Sequence, residues 1–310
     1  MKTLINWVIF LHKKGFFPRG HTRLIAWLAQ FSSSAQETSV ELPIIGDFSV
    51  DLSDRGQIGY YLSKGLPSEQ ADILILSKLV KGFETIFDVG AHIGYYSRLS
   101  IAFSNCVSVH AFEPSEATFK GLEKNLKGFD QAVLNNKAVT ASSMKEQAFF
   151  VNPSSDLSSL VKPSGKRIKV DTVSLDDYCK NKLIERVDFI KCDVEGVEEE
   201  VLQGATGLLN SVMPPIWLLE NTSLAAQLKE RSEEMLVEVF KRQSSQSISV
   251  FIACVKDETV GIEDYEPINS LGKSAKCNIW IVPECRKDIF LQAVSELNKE
   301  PDSLKKINSI

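Results

Sequence analysis

Residues 85–97 read TIFDVGAHIGYYS, an apolar run that ends in an acid, Asp88, and a glycine, Gly90, with a second glycine, Gly94, opening the next stretch. Short apolar runs bounded by glycine predict buried strands, so we expect a strand over Thr85–Gly90 and a helix through Ser104. Glycines at such a junction let the backbone come close to a neighbour or ligand, and the free N–H groups of the helix start bind polar groups. A dinucleotide fingerprint begun at Gly90 would need glycine at positions 92 and 95, which hold His92 and Tyr95. An NAD-type oxidoreductase is therefore the weaker reading.

Outward from this stretch the rhythm repeats. Strands are expected at Val107–Pro114, Ala132–Val139, Val187–Val194, Pro215–Glu220, Ile248–Val255 and Asn278–Val282. Helices are expected at Ser115–Leu126, Leu175–Cys179 with Ser174 as its cap, a stretch ending near Asn210, and Leu228–Arg242. Strand–helix alternation implies an α/β fold, a mostly parallel seven-stranded sheet with helices on both faces. Residues 140–175 interrupt it: AFFV, IKV and the Ser/Pro/Gly-rich piece between them suggest an inserted antiparallel hairpin.

In an open α/β sheet, ligands bind outside the carboxyl ends of the strands. Asp88, Glu113, Asp193 and the Glu220–Asn221 pair each end one of these strands, so they should converge on one crevice. Glu113, 23 residues past Gly90, stands where a carboxylate accepts hydrogen bonds from a ribose diol. Any one of these acids alone would serve equally as a helix cap or dipole partner. As a set they point to a site.

The chain has 310 residues, 44% hydrophobic and 24% charged, which excludes general disorder and fibrous repeats. No apolar run approaches the ~18 residues of a membrane span. Six cysteines without a CxxC pair exclude zinc-cluster spacing and, scattered singly through apolar stretches, read as buried free thiols of a reducing, cytoplasmic compartment.

Residues 1–31 hold Lys2, Lys13, Lys14, Arg19 and Arg23 and no acid, leaving 30 basic against 40 acidic side chains in the rest. That acidic body disfavours nucleic acid as a partner. Leu4, Trp7, Val8 and Leu11, then Leu24, Trp27, Leu28 and Phe31, fall at helical spacing, with Gly15, Pro18 and Gly20 between the two sets. The pair either packs on the main domain, makes peripheral contact with a membrane by sitting on anionic lipid, or caps a substrate site. Ser32–Ser39 reads as a linker. The expected division is 1–40 as a helical extension and linker, 41–285 as the main domain and 286–310 as a helical tail.

DVGAHIGYYS, HAFEPSEATF, NNKAV, SSL, VDTVSLDDY, DFIKCDVEGVEEEVLQGA and WLLEN, in this order, resemble the FkbM family of S-adenosylmethionine-dependent methyltransferases, over roughly Phe48 to Val282. The lead-in FSVDLSDRGQIGYYLSKG resembles the segment before that family's first strand. His92 stands where the family usually has Asn. The resemblance implies a class I methyltransferase (Rossmann-like) sheet, S-adenosyl-L-methionine as cofactor, and O-methylation of a sugar, glycan or other secondary metabolite. It places Asp88, Gly90, Ala91, His92 and Gly94 along the methionine end of the cofactor. Glu113 would then hold the ribose, Asn136, Lys137 and Ala138 would lie beside the adenine, and Asp193 would face the methyl group.

An alcohol acceptor must lose a proton during transfer, for which a base or a metal is useful. The general base would be Asp193, Glu195 or His92. Alternatively Asp193, Glu220 and Asn221 would gather a magnesium ion, since three oxygen ligands suit a hard cation. Ser158 and Ser159, in the inserted segment, read as substrate contacts or as a polar turn. His110, inside a strand, reads as packing. Of Tyr95 and Tyr96, one is expected to touch the cofactor and the other to pack against the sheet. A non-catalytic binding protein on the same fold is the other alternative, and oligomeric state is left open.

Overall fold

The computed structural model describes residues 2–14, 16, 20–104, 107–151, 166–221, 234–256, 259–264 and 277–299. At its centre is Thr85–Val89 (β1), flanked on one side by Ser108–Phe112 (β2) and Ala132–Asn135 (β3). On the other side lie Phe189–Cys192 (β4) and Ile216–Asn221 (β5), and these five strands run parallel. Ile248–Lys256 (β6), Thr259–Asp264 (β7) and Cys277–Pro283 (β8) extend the sheet antiparallel, giving the order β7-β6-β8-β5-β4-β1-β2-β3. The seven expected strands are thus joined by an eighth. β7 pairs as a hairpin with β6, and its polar sequence TVGIED hid its strand character.

Successive strand residues feed opposite faces, and the core divides accordingly. Ile86, Val109, Ala111, Phe189, Leu218 and Trp280 share one buried cluster with the N-terminal third of the chain and the Lys287–Lys299 helix. Phe87, Val89, Ile190, Trp217 and Ile279 share the other with residues 175–179, 201–209 and 237–240. The first cluster draws on residues from Ile5 to Leu297.

Helix starts follow the expected chemistry. Ser174 Oγ accepts from the Asp177 N–H at 3.2 Å, and the helix runs on to Lys182. The inserted hairpin is present, Gln147–Val151 pairing with Lys166–Val170. The expected third strand is divided: Ala138–Val139 leave β3 and pair instead with Thr172–Val173.

Three expectations need correction. Residues 32–39 are not a free linker, since Ser33–Gln36 form a helical turn and Thr38–Leu42 pairs with Gly46–Val50 as a hairpin. The first helix, Lys2–Lys13 (α1), buries Ile5, Val8 and Ile9 and leaves Leu4 and Trp7 exposed. The second, His21–Ala29 (α2), buries Ile25, Ala26, Leu28 and Ala29 and leaves Trp27 exposed. Both helices are apolar on more than one face, so spacing alone did not say which face meets the core. Finally, the thiols are of mixed burial: Cys179 and Cys192 are buried, Cys254 is half-buried and Cys285 is exposed.

Candidate active site

A cavity of about 280 Å³ opens at the carboxyl ends of β1, β2, β4 and β5. Gly90, His92, Glu113, Lys137, Ala138, Asp193, Glu195 and Glu220 all line it, so residues far apart in the chain meet as the strand ends require.

Gly90 (φ +79°) is where β1 leaves the sheet. A Cβ there would stand 1.8 Å from the Asp193 carbonyl oxygen, so the glycine admits the end of β4. Its N–H and that of Ala91 both donate to the Phe112 carbonyl, at 3.0 and 2.9 Å, which ties the turn to β2. Gly94 (φ +90°) starts the Tyr95–Phe103 helix. A Cβ on it would lie 2.7 Å from Leu122 Cδ1 of the next helix. Ala91 and Gly94 shape the turn from behind the cavity wall.

His92 also has left-handed backbone (φ +52°). Asn and His both tolerate that region better than most residues, so the exchange of one for the other keeps the turn. The His92 N–H donates to Glu113 Oε2 at 3.2 Å, and its ring stacks over Tyr60 at 6.3 Å. Glu113 Oε1 accepts from the Ser115 N–H at 2.8 Å. Each carboxylate oxygen can accept two hydrogen bonds, so both keep capacity for a ligand. Burial, aided by the charges of Asp193 and Asp88, pushes the Glu113 carboxyl up to about 8.

Asp88 sits below the cavity and accepts from Ser97 Oγ at 2.6 Å, its carboxyl raised to about 6 by burial. Asn136 donates to the carbonyls of Glu113 and Pro114 at 2.9 and 3.1 Å, and so braces the turn after β2. Lys137 and Ala138 line the wall directly, and Ala138 packs in one small cluster with Phe149 of the inserted hairpin, which lines it too.

The far half of the cavity is acidic. Asp193, Glu195 and Glu220 bring carboxylate oxygens within 4.8 Å of one another, Glu195 from a left-handed backbone (φ +52°). Lys191, only 3% exposed, places Nζ 3.4 Å from Asp193 Oδ2 and 5.2 Å from the centre of the Tyr96 ring. Burial favours the neutral amine, but Asp193, Glu220, Glu69 and Asp88 outweigh it and keep Lys191 charged. Burial also favours a neutral Asp193. The Lys191 ammonium and a hydrogen bond from Glu220 outweigh that and hold its carboxyl below the ordinary range. Glu220 responds in the other direction, pushed well up by burial and by the Asp193 charge. The two carboxyls therefore titrate as a coupled pair, Asp193 pulled down and Glu220 pushed up.

Asn221 ends β5, but its side chain lies outside the described residues, as do Ser158 and Ser159. His110 is a packing residue: Nδ1 lies 2.8 Å from the Tyr178 hydroxyl, the ring meets Phe87 edge-on, and burial lowers its pKa to about 4. The expectation for the tyrosine pair fails. Tyr95 packs on Phe48 and Tyr60, Tyr96 donates to Glu69 Oε2, and neither lines the cavity.

The sequence profile described as the methyltransferase FkbM domain matches residues 88–245, a span that holds both glycines, Glu113, Lys191, Asp193 and Glu220. The chain belongs to the FkbM methyltransferase family. The hexuronic acid methyltransferase AglP of Haloferax volcanii is 28% identical over 149 residues. The match covers 48% of this chain, and the chain spans 61% of that relative's length. An O-methyltransferase of Bacillus cereus, solved with S-adenosylhomocysteine, is 14% identical over 71% of this chain and 83% of its own, with a TM-score of 0.40. The precorrin-6y C5,15-methyltransferase of Geobacter metallireducens is 16% identical, covering 70% of this chain and 87% of its own, with a TM-score of 0.39.

Within the FkbM domain, sequence reading passed over Lys191, although it stands in the same DFIKCDVEG stretch as Asp193. A lysine inside an apolar strand is itself a signal, because a buried charge needs partners. Outside the matched span, Tyr60, Ser68 and Glu69, all before β1, and Asn278 of β8 also line the cavity. Asn278 is held by Asp72 at 2.9 Å, a buried carboxyl raised to about 7 by burial. Nothing in the spacing of these four residues marks them.

Proposed function

We propose that this protein is an S-adenosylmethionine-dependent O-methyltransferase acting on a hydroxyl of a sugar, glycan or related small molecule. The observation that carries the reading is the meeting of two carboxylates with different partners in one cavity. Glu113 has acceptor capacity for a ribose diol, and Asp193 is kept ionised by the Lys191 ammonium beside it.

The cofactor fits the residues on the Glu113 side: a buried carboxylate with spare lone pairs, the Gly90 turn, Lys137, Ala138 and the Phe149 ring. When bound, S-adenosylmethionine supplies a methyl group already activated on a sulfonium. The protein then has to position the acceptor and take up its proton. Positioning is worth ~7–11 kcal/mol in favourable cases. Asp193 is the group of the right charge state to accept the hydroxyl proton, with Glu220 donating to it and fixing its orientation. Glu195 and His92 line the same volume and contact the acceptor.

Magnesium is not needed in this scheme. The three carboxylates would suit a cation, yet the Lys191 ammonium already supplies positive charge beside Asp193. Hydroxyl-rich acceptors fit the acidic half of the cavity, because sugar hydroxyls donate to carboxylates. The name of the Haloferax volcanii relative, a hexuronic acid methyltransferase, supports the sugar class.

The test is transfer of isotope-labelled methyl from S-adenosylmethionine to a panel of neutral and uronic-acid glycosides, with products read by mass spectrometry. The proposal expects a methyl ether on at least one glycoside. Methylation at nitrogen or carbon only, or cofactor binding with no transfer to any hydroxyl, would refute it.

A further inference from the structure

The N-terminal helices bury one face and display another that a soluble surface does not call for. α1 and α2 pack together, and α2 leans on the Arg55–Ser63 helix. Their inner residues, Ile5, Val8, Ile25 and Leu28 among them, belong to the main core. Their outer residues include Trp7 at 56%, Phe10 at 55%, Trp27 at 56% and Phe31 at 62% exposure, with Phe16 between the helices at 72%.

Basic side chains share those outer faces. At 100° per residue, Trp7, Phe10 and Lys14 fall on one side of α1, and Arg23 and Trp27 on one side of α2. The Lys14 ammonium lies 5.9 Å from the centre of the Phe10 ring, and Trp27 and Phe31 meet edge-on at 5.3 Å. Residues 1–31 carry five Lys and Arg and no acid, on a chain whose net charge is -5. The segment that exposes the aromatics thus carries a net +5, against a net -10 for the rest of the chain.

Monomeric proteins rarely expose this much apolar surface without a partner. A helix with Trp and Phe on one face, flanked by Lys and Arg, matches the chemistry of the bilayer interface. We propose that the outer face of α1 and α2 docks the protein on an anionic phospholipid surface. Trp7, Phe10, Trp27 and Phe31 enter the headgroup boundary, Lys14 and Arg23 meet the phosphates, and the acidic body is held away from the lipid. The docking is peripheral. Among the described residues no helix is long and apolar enough to cross a membrane.

The test is co-sedimentation of the full chain with phosphatidylcholine vesicles, with and without phosphatidylglycerol, at low and high salt. The proposal predicts binding that needs phosphatidylglycerol, weakens with salt and is accompanied by a blue shift of tryptophan emission. W7S/W27S should lower partitioning ~tenfold or more, and K14E/R23E should remove the preference for anionic vesicles. Thermal unfolding of both variants checks that the fold persists, and K14E/R23E leaves every buried residue in place. No binding to phosphatidylglycerol vesicles, or equal binding to both vesicle types, would overturn the proposal. So would a concentration-dependent dimer abolished by W7S/W27S, which would assign the face to a second copy of the chain.

Discussion

Lys191 Nζ lies 3.4 Å from Asp193 Oδ2 at the mouth of β4, with the lysine sealed from solvent and the aspartate half-buried. Asp193 follows two residues after Lys191, just past the last residue of β4, so one strand end sets the buried ammonium beside the carboxylate that lines the cavity. The ammonium decides the state of the carboxylate beside it.

Replacing Lys191 with Met should therefore change a titration as well as a rate. Asp193 is held below the ordinary carboxyl range, so it is ionised, and able to take a proton, at all pH values above that range. Without the ammonium, burial dominates and the carboxyl titrates higher. The acidic limb of the pH–rate profile should then move to higher pH, and turnover at neutral pH should fall by about 10²-fold. Chelating divalent metal should leave the wild type within about twofold, since Lys191 supplies the local positive charge. An unmoved acidic limb, or loss of activity on chelation, would count against this role.

Glu113 should link cofactor binding to pH. Its carboxyl is raised to about 8, so the free protein holds it protonated at neutral pH, while a ribose diol donates best to the carboxylate. Affinity for S-adenosylhomocysteine should rise as pH approaches and passes about 8, with proton uptake by buffer below it. By the same linkage, the free protein should lose stability as pH rises from the normal carboxyl range through about 8. Glu113→Gln should flatten the dependence, and Glu113→Ala should weaken binding more than about tenfold. Calorimetry in buffers of different ionisation enthalpy measures both effects.

Asp193→Asn keeps the shape of the side chain and removes the base. Turnover should fall by ~10²–10⁴-fold while affinity for S-adenosylhomocysteine changes by less than about threefold. Equal losses in both would mean that Asp193 holds the cofactor and does not act in transfer.

Gly90→Ala tests the turn. The new Cβ would meet the Asp193 carbonyl at 1.8 Å with φ at +79°, and backbone cannot yield as a side-chain tip can. We expect a loss of at least ~2 kcal/mol in urea unfolding. Gly94→Ala, facing the flexible end of Leu122, should cost less steric relief than Gly90→Ala, although its φ of +90° still strains it.

The sheet was legible because each of its central strands is a short apolar run ended by an acid or glycine, a pattern with one structural solution. β7 was not, because Thr259–Asp264 owes its strand state to its partner Ile248–Lys256 and carries little apolar signal of its own. On the site, the strand-end carboxylates could be placed because topology alone gathers strand ends. Lys191 and Glu69 could not, since their value lies in charge compensation at distances that only the folded chain creates. The same holds for Trp7 and Trp27: helical spacing put them on an apolar face, and only packing revealed that this face looks outward.

The most direct test of the account is calorimetric titration of the protein with S-adenosylhomocysteine and with NAD. The account predicts micromolar binding of S-adenosylhomocysteine, lost on Glu113→Ala, and no heat from NAD. Binding of NAD alone, or S-adenosylhomocysteine binding indifferent to Glu113→Ala, would contradict it.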